Sequence, residues 1–383
     1  MTVNVAPQLF PWARERAHRS LEDLTRRFPK LPQWESGVAS PTLRQLEKFA
    51  KATFTPVGFF FLAEAPAIEK VPIPDFRTAR DASIDRPSAA LLDTIYACER
   101  RQEWFRDEMR ATNADPLRFI GSATIVDTPE QVAGVIRRSL RCDIAERANM
   151  PNWSEALRSL IANADALGIL VMVNGVVGNN THRKLDPAEF RGFALADNLA
   201  PLIFVNGADS KSAQMFTIVH EAAHLWLGTS SLDDVEPAVA GHGEVEDWCN
   251  EVAAEVLVPL IALREVYRRE DPLDEALPRL TRYFKVSGLV VLRRLHAARY
   301  LSTDGFWNAY RAEVERQKRR PDPSGGNFYA TEIARVGKRF SKALCASTLE
   351  GRTLYRDAFS LLAISKTETF NKLGRSLGFE VPN

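Results

Sequence analysis

The chain has 383 residues, 45% hydrophobic and 26% charged, with a formal net charge of +1: an ordinary globular composition, long enough for two or three domains. The near-zero charge excludes a global basic field for nucleic acid, so any such contact needs a local patch. Cys98, Cys142, Cys249 and Cys345 form no Cys-x-x-Cys pair, which argues against a disulfide framework or a cysteine-based zinc ribbon; with no signal-peptide core and no apolar run of about 18 residues, a cytoplasmic protein is expected.

Residues 1–66 read as a small helical domain. Leu9–Arg19 has helical spacing, and Ser20-Leu-Glu-Asp23 is a helix start of capping-box type. That helix ends before Pro29. Pro41-Thr42 opens another, with Leu43, Leu46, Phe49 and Ala50 on one face, and Thr55-Pro56 opens a last one that ends in Phe59-Phe60-Phe61-Leu62. The proline-bearing stretch Glu64–Pro74 is a linker. A helical connecting region, 67–164, follows, with helices over Ser88–Ala111, Pro129–Leu140 and Ser154–Leu167.

At residue 165 the pattern changes. Ile169–Val173 and Pro201–Val205 are short branched apolar runs bounded by Gly, Asn and Pro, the mark of strands, and Phe190–Leu195 is a weaker third. Ser212–Leu227 is a helix stopped by Gly228, Thr229–Gly243 a loop, and Glu244–Val258 a helix stopped by Pro259. Further helices complete a core over 165–317. A linker opens the C-terminal segment, 318–383, which is helical from Asn327 to Phe379. The expected fold class is α+β and mostly helical, with a small sheet packed on one central helix and helical segments flanking it.

That central helix carries His220-Glu221-Ala222-Ala223-His224. Residues four apart share a helix face, so both imidazoles reach one metal ion. Glu221 lies about 100° round the helix, where it reaches a water on the metal rather than the metal. Zinc brings such a water's pKa toward neutrality, and a carboxylate beside it can take the proton. Catalytic zinc usually has three protein ligands. The third donor is sought on the next helix, where Glu246 shares a face with Asn250, Ala253 and Ala254. Asn250 is then placed to support a histidine from behind. Glu244, Asp247, Glu251 and the loop residue His242 compete for the ligand role, and His242 is also a candidate for contact with substrate. Arg183, in the polar run Asn179–Arg183, is a candidate lining residue of the cleft. Pro201–Asn206, with Phe204 and Asn206, is expected at a sheet edge, pairing with substrate backbone.

Two blocks carry a family resemblance. Gln214-Met-Phe-Thr-Ile-Val-His-Glu-Ala-Ala-His-Leu-Trp-Leu-Gly228 and Glu246-Asp-Trp-Cys-Asn-Glu-Val-Ala-Ala-Glu-Val-Leu-Val-Pro259 resemble the ImmA/IrrE metallopeptidases, the second through that family's Glu-x-x-x-Asn/Asp-x-x-Ala-Ala-x-x-Leu-x-Pro block. The resemblance, which covers about residues 165 to 300, implies zinc bound by His220, His224 and Glu246, with Glu221 as general base. The N-terminal segment is similar to the second half of an Xre/Cro-type helix-turn-helix through Trp34-Glu-Ser-Gly37 and Pro41-Thr-Leu-Arg-Gln-Leu-Glu-Lys-Phe-Ala-Lys51. Its recognition helix is shortened to Pro29-Lys-Leu-Pro-Gln33, whereas groove reading needs three or four projecting side chains. A protein-interaction surface therefore stands beside DNA binding as a reading.

The resemblance implies a zinc-dependent endopeptidase acting on a regulatory protein, either a repressor or a toxin–antitoxin component, in a stress-response or mobile-element setting. Gly325-Gly-Asn-Phe-Tyr329 and Leu349-Glu-Gly-Arg-Thr-Leu-Tyr-Arg-Asp-Ala-Phe359 resemble the long members encoded beside toxin-like proteins. The alternative is a DNA-binding transcription regulator or antitoxin whose zinc site is structural or vestigial.

Overall fold

A computed structural model of the chain describes residues 2–66, 87–233, 243–318 and 333–381. These fall into two units, one made of the residues up to 66 together with 87–96, the other of everything from 97 onward. The second unit therefore holds most of the expected connecting region, the core and the C-terminal segment together. Among the described residues no helix is long and apolar enough to cross a membrane.

The first unit has helices α1 (Leu9–Arg16), α2 (Leu21–Arg27), α3 (Leu31–Glu35) and α4 (Leu43–Ala52), followed by a 3-10 turn over Val57–Phe61. The starts lie where the sequence puts them. Ser20 Oγ accepts the Asp23 N–H at 3.1 Å, and Thr42 with Gln45 forms a full capping box. Phe10, Trp34, Phe49 and Phe60 are fully buried and meet ring to ring, with Phe10 and Phe49 centroids 5.5 Å apart. This cluster governs what α3 can present. Leu31 and Trp34 point into the core and Glu35 pairs with Arg14 at 3.0 Å, which leaves Pro32 and Gln33 exposed.

The second unit begins within α5 (Ala89–Ala111) and continues through α6 (Pro129–Ser139), α7 (Ile144–Asn149) and α8 (Trp153–Leu167). Strands β1 (Leu170–Asn174), β4 (Gly192–Leu195), β5 (Leu202–Asn206) and β6 (Ser231–Asp233) form one sheet in the order β1-β5-β4-β6; β2 (Val176–Val177) and β3 (Asn180–Lys184) form a separate antiparallel hairpin. β1 and β5 are parallel, and β4 is antiparallel to both β5 and β6. Helix α9 (Lys211–Leu227) follows β5 and packs on β4 and β5; α10 (Glu244–Leu257) packs on α9 and α6. Helices α11 (Leu260–Val266), α12 (Leu273–Phe284), α13 (Gly288–Ala297) and α14 (Thr303–Lys318) complete this side. One core joins Val171, Ala194, Ile203 and Val205 of the sheet to α6, α8, α9, α10 and α13.

The sheet order corrects one expectation. β5 is not an edge strand: β1 and β4 take its backbone groups on both sides, and all five of its residues are buried. Phe204 stacks on Phe193 at 5.0 Å inside the fold. Asn206 is fully buried, donating from Nδ2 to the Phe190 carbonyl at 3.1 Å and accepting the Ala208 N–H at 3.1 Å. Neither residue can meet a substrate. A continuous apolar run is what a strand buried on both faces requires.

The C-terminal helices α15 (Lys338–Leu349), α16 (Tyr355–Leu362) and α17 (Thr367–Ser376) are tied into the same unit. α15 packs on β1, and Gly337, at φ +83°, crosses the strand so closely that a Cβ would stand 2.7 Å from the Val171 carbonyl oxygen. Arg101 Nε donates to the Leu361 carbonyl at 2.9 Å and Trp104 Nε1 to Thr353 Oγ1 at 3.2 Å. Asn179, in the turn between β2 and β3, donates to the Ala363 carbonyl at 2.8 Å and accepts from Arg335 at 2.9 Å. That turn thus docks the C-terminal helices.

Candidate metal centre

α9 is apolar nearly all round, as a helix buried on every side must be. Ser210 caps its start, accepting the Ala213 N–H at 3.3 Å, and Gly228 ends it at φ +72°, a conformation glycine adopts without strain. Between these fixed ends His220, Glu221 and His224 are held fully buried or nearly so.

α10 supplies the opposing carboxylate from its first turn, where negative charge suits the helix dipole. Its far end is held as firmly. Arg137 donates to the Glu255 and Val256 carbonyls, Arg147 to that of Leu257, and Arg294 to that of Val258 at 2.8 Å. Three guanidinium groups thus satisfy carbonyls that a helix end leaves without partners. Arg294 also pairs with the buried Glu255 carboxylate. Near the start, Trp248 Nε1 donates to the Asp127 carbonyl at 2.8 Å.

The result is a convergence of three donors. Glu246 Oε2 lies 3.2 Å from His220 Nε2, Glu246 Oε1 lies 3.1 Å from His224 Nε2, and the two Nε2 atoms are 3.2 Å apart. Zinc bonds of about 2.0–2.1 Å in a tetrahedral arrangement space their donors by roughly 3.3–3.4 Å. The nitrogen–nitrogen–oxygen set therefore fits zinc in both number and spacing. His224 Nδ1 lies 3.3 Å from Thr229 Oγ1, the kind of outer partner that fixes a ligating ring. Burial alone would raise the Glu246 carboxyl; hydrogen bonds and charge from His220 and His224 outweigh it and hold the group well below the usual carboxylate range. A fifth of the Glu246 side chain stays exposed.

Glu221, the residue after His220, also reaches the sheet. Ser231 Oγ donates to its Oε2 at 2.7 Å, and its Oε1 lies 3.6 Å from where a Cβ on Gly192 would sit. The structure thus brings His220, His224 and Glu246 together with Glu221 beside them. Asn250, one turn beyond Glu246, is half-buried, and among the described residues no hydrogen bond joins it to either histidine. Arg183 is half-buried on β3, in the separate hairpin. His242 lies outside the described residues. Gly192, Thr229 and Ser231 went unnoticed in the sequence. Ser231 sits in a Ser- and Asp-rich stretch that reads as loop, and three residues are too few to display strand alternation.

Residues 164–296 match the family model of the IrrE N-terminal-like domain. This stretch is thus similar to the ImmA/IrrE metallopeptidases. The chain is also similar to the radiation response metalloprotease IrrE of Deinococcus radiodurans, 29% identical over 156 residues. That match covers 39% of this chain and 46% of IrrE, so it spans about half the length of the relative. The IrrE-like domain begins near the end of α8 and contains the whole sheet, α9 and α10. Residues 336–376, which hold α15 to α17, match a separate model, a domain of unknown function (DUF8813).

Proposed function

We propose that the chain is a zinc-dependent endopeptidase that cuts a regulatory protein, with Glu221 as general base. One observation carries the reading: His220, His224 and Glu246 place donor atoms 3.1–3.2 Å from one another, with Glu221 next to His220 on the same helix. Zinc in such a site lowers the pKa of a water toward neutrality and polarises a scissile carbonyl. His220 and His224 contribute neutral imidazoles held in register by α9, and Glu246 contributes charge from α10. Glu221 accepts the proton released in the attack and returns it to the leaving amine.

The choice of a regulatory substrate rests on likeness to a relative named for a radiation response. Of the two edge strands of the sheet, β1 is crossed by Gly337, whereas β6 is bonded to Glu221 through Ser231. We place the substrate backbone along β6, where an extended peptide adds as a further strand.

The test compares wild type with Glu221→Gln against the protein encoded beside this chain and against unstructured peptides. Both forms should bind one zinc ion per chain, and only wild type should cut, with loss of cutting on chelation and recovery with zinc. Cutting that survives either Glu221→Gln or thorough chelation overturns the reading.

A further inference from the structure

We propose that Ser231 is a positioning residue for the general base: its hydroxyl sets the rotation of the Glu221 carboxylate relative to the metal-binding face of α9. The inference rests on the peptidase reading above.

The register of the sheet aims the hydroxyl. Ser231 pairs with Ala194, and Gly192 and Ala194 are two apart on β4, so all three share one face of the sheet. Ala194 belongs to the core shared with α9, which identifies that face as the one toward the helix. Ser231 is 2% exposed and Glu221 fully buried, and the bond between them is short at 2.7 Å. The neighbouring Ser230 accepts the Ala196 N–H at 3.0 Å, fixing the start of β6.

Space and bonding act together here. A Cβ on residue 192 would lie 2.4 Å from Thr217 Cγ2 and 2.7 Å from the Phe204 carbonyl oxygen, so only glycine admits this approach of α9 to β4. The glycine makes room for a carboxylate, and the serine supplies a donor to its Oε2 that favours one orientation. The backbone of Ser231 is already held by β4, so the strand does not need the hydroxyl. Alanine at 231 should preserve the ladder and release the carboxylate to rotate. A general base out of alignment with its proton lowers turnover more than it lowers binding.

The experiment uses the full zinc-loaded chain carrying Ser231→Ala or Ser231→Thr. The alanine variant should lose ten- to a hundredfold in kcat, with KM and zinc affinity (by chelator competition) within about threefold of wild type. The threonine variant, which keeps a hydroxyl, should recover most of the loss. A Ser231→Ala kcat within twofold of wild type overturns the proposal, and so does a loss carried by KM or zinc affinity. A second measurement needs no turnover. In metal-free protein, Ser231→Ala should lower the urea midpoint in the wild-type background and fail to do so in a Glu221→Leu background; equal shifts in both overturn the pairing. If wild type cuts nothing, the peptidase reading falls, and the unfolding cycle alone then judges whether the serine holds this carboxylate.

Discussion

Gly192 on β4 and Thr217 on α9 approach so closely that a Cβ at position 192 would stand 2.4 Å from Thr217 Cγ2. The contact sets the distance between the sheet and the helix that carries the proposed metal-binding histidines, about one turn before His220 and two before His224. Gly192→Ala should force α9 outward, because the Phe204 carbonyl, at 2.7 Å, blocks escape on the other side. Overpacking of a close-packed interior costs about 1–3 kcal/mol. We expect a loss at the upper end of that range in urea unfolding, with weaker zinc binding. A variant with unchanged stability and unchanged zinc affinity would show that the two elements can part without consequence.

Glu246 is the metal donor we propose from α10, and its contacts with His220 and His224 couple the two helices. Glu246→Gln keeps the shape and removes the charge. Zinc affinity should fall by more than the 10–100-fold typical of losing an outer-shell partner, while Asn250→Ala, with no hydrogen bond to either histidine, should fall short of that range. The charge also matters without metal. Because the two imidazoles hold the folded carboxyl below its usual value of 4.5, ionised Glu246 contributes stability that is present above that value and is lost as pH falls toward the depressed one. Metal-free wild type should therefore lose stability over that acid range more steeply than metal-free Glu246→Gln. Parallel pH profiles of the unfolding midpoint would sink the assignment.

The legible part of this site was the part that local geometry decides. Spacing of four along a helix fixes His220 and His224 on one face whatever the rest of the chain does. The shared face with Asn250, Ala253 and Ala254 brought Glu246 forward among several acidic residues, and the family resemblance singled it out; Ala223 and Ala253 are buried in the shared core. Strand order was not legible, because the pairings of β5 with β1 and of β4 with β6 join segments about 30 or more residues apart in sequence. Leu202–Asn206 did contain a clue, since an unbroken apolar run suits a strand covered on both faces. The short helix α7, the hairpin β2–β3 and the three-residue β6 each lack enough periods for a pattern to show. Ser231, whose partner Glu221 is ten residues away on another element, became visible only once β6 was paired with β4.

Arg294 holds the C-terminal end of α10 by two bonds, one to the Val258 carbonyl and one to the Glu255 carboxylate, which also accepts the Leu260 N–H at 3.3 Å. Both side chains are 7% exposed as residues. Arg294→Met should strand a buried carboxylate and cost about 3–5 kcal/mol, whereas pairing it with Glu255→Leu should cost much less. Thermal unfolding of the four proteins in the cycle measures the coupling. Simple additivity of the two single changes would mean that the pair is not what fixes this end of the helix.

Asp165, near the end of α8, faces the start of α15, where Arg339 donates to its carbonyl at 3.3 Å. Burial pushes its carboxyl from 3.8 up to about 6, against the opposing pull of the Val171 and Arg339 N–H groups and the Arg339 and Lys338 charges. The sign follows from proton binding. Between the unfolded and folded values the folded protein holds a proton that the unfolded chain has released, so stability declines as pH rises from about 3.8 to about 6 and levels off above. The whole effect is at most about 3 kcal/mol, one pKa unit being worth about 1.36 kcal/mol. Asp165→Asn removes this titration and should gain on wild type as pH rises through that window, with the two proteins running parallel above it. Because the C-terminal helices dock beside this carboxylate, the same window should show greater protease sensitivity of α15 to α17 at its upper end in wild type than in the variant. Urea midpoints measured from pH 3.5 to 7, with limited proteolysis at both ends, decide the matter. A constant difference between the two proteins across the window would show that Asp165 titrates normally and that the docking of α15 on β1 is indifferent to it.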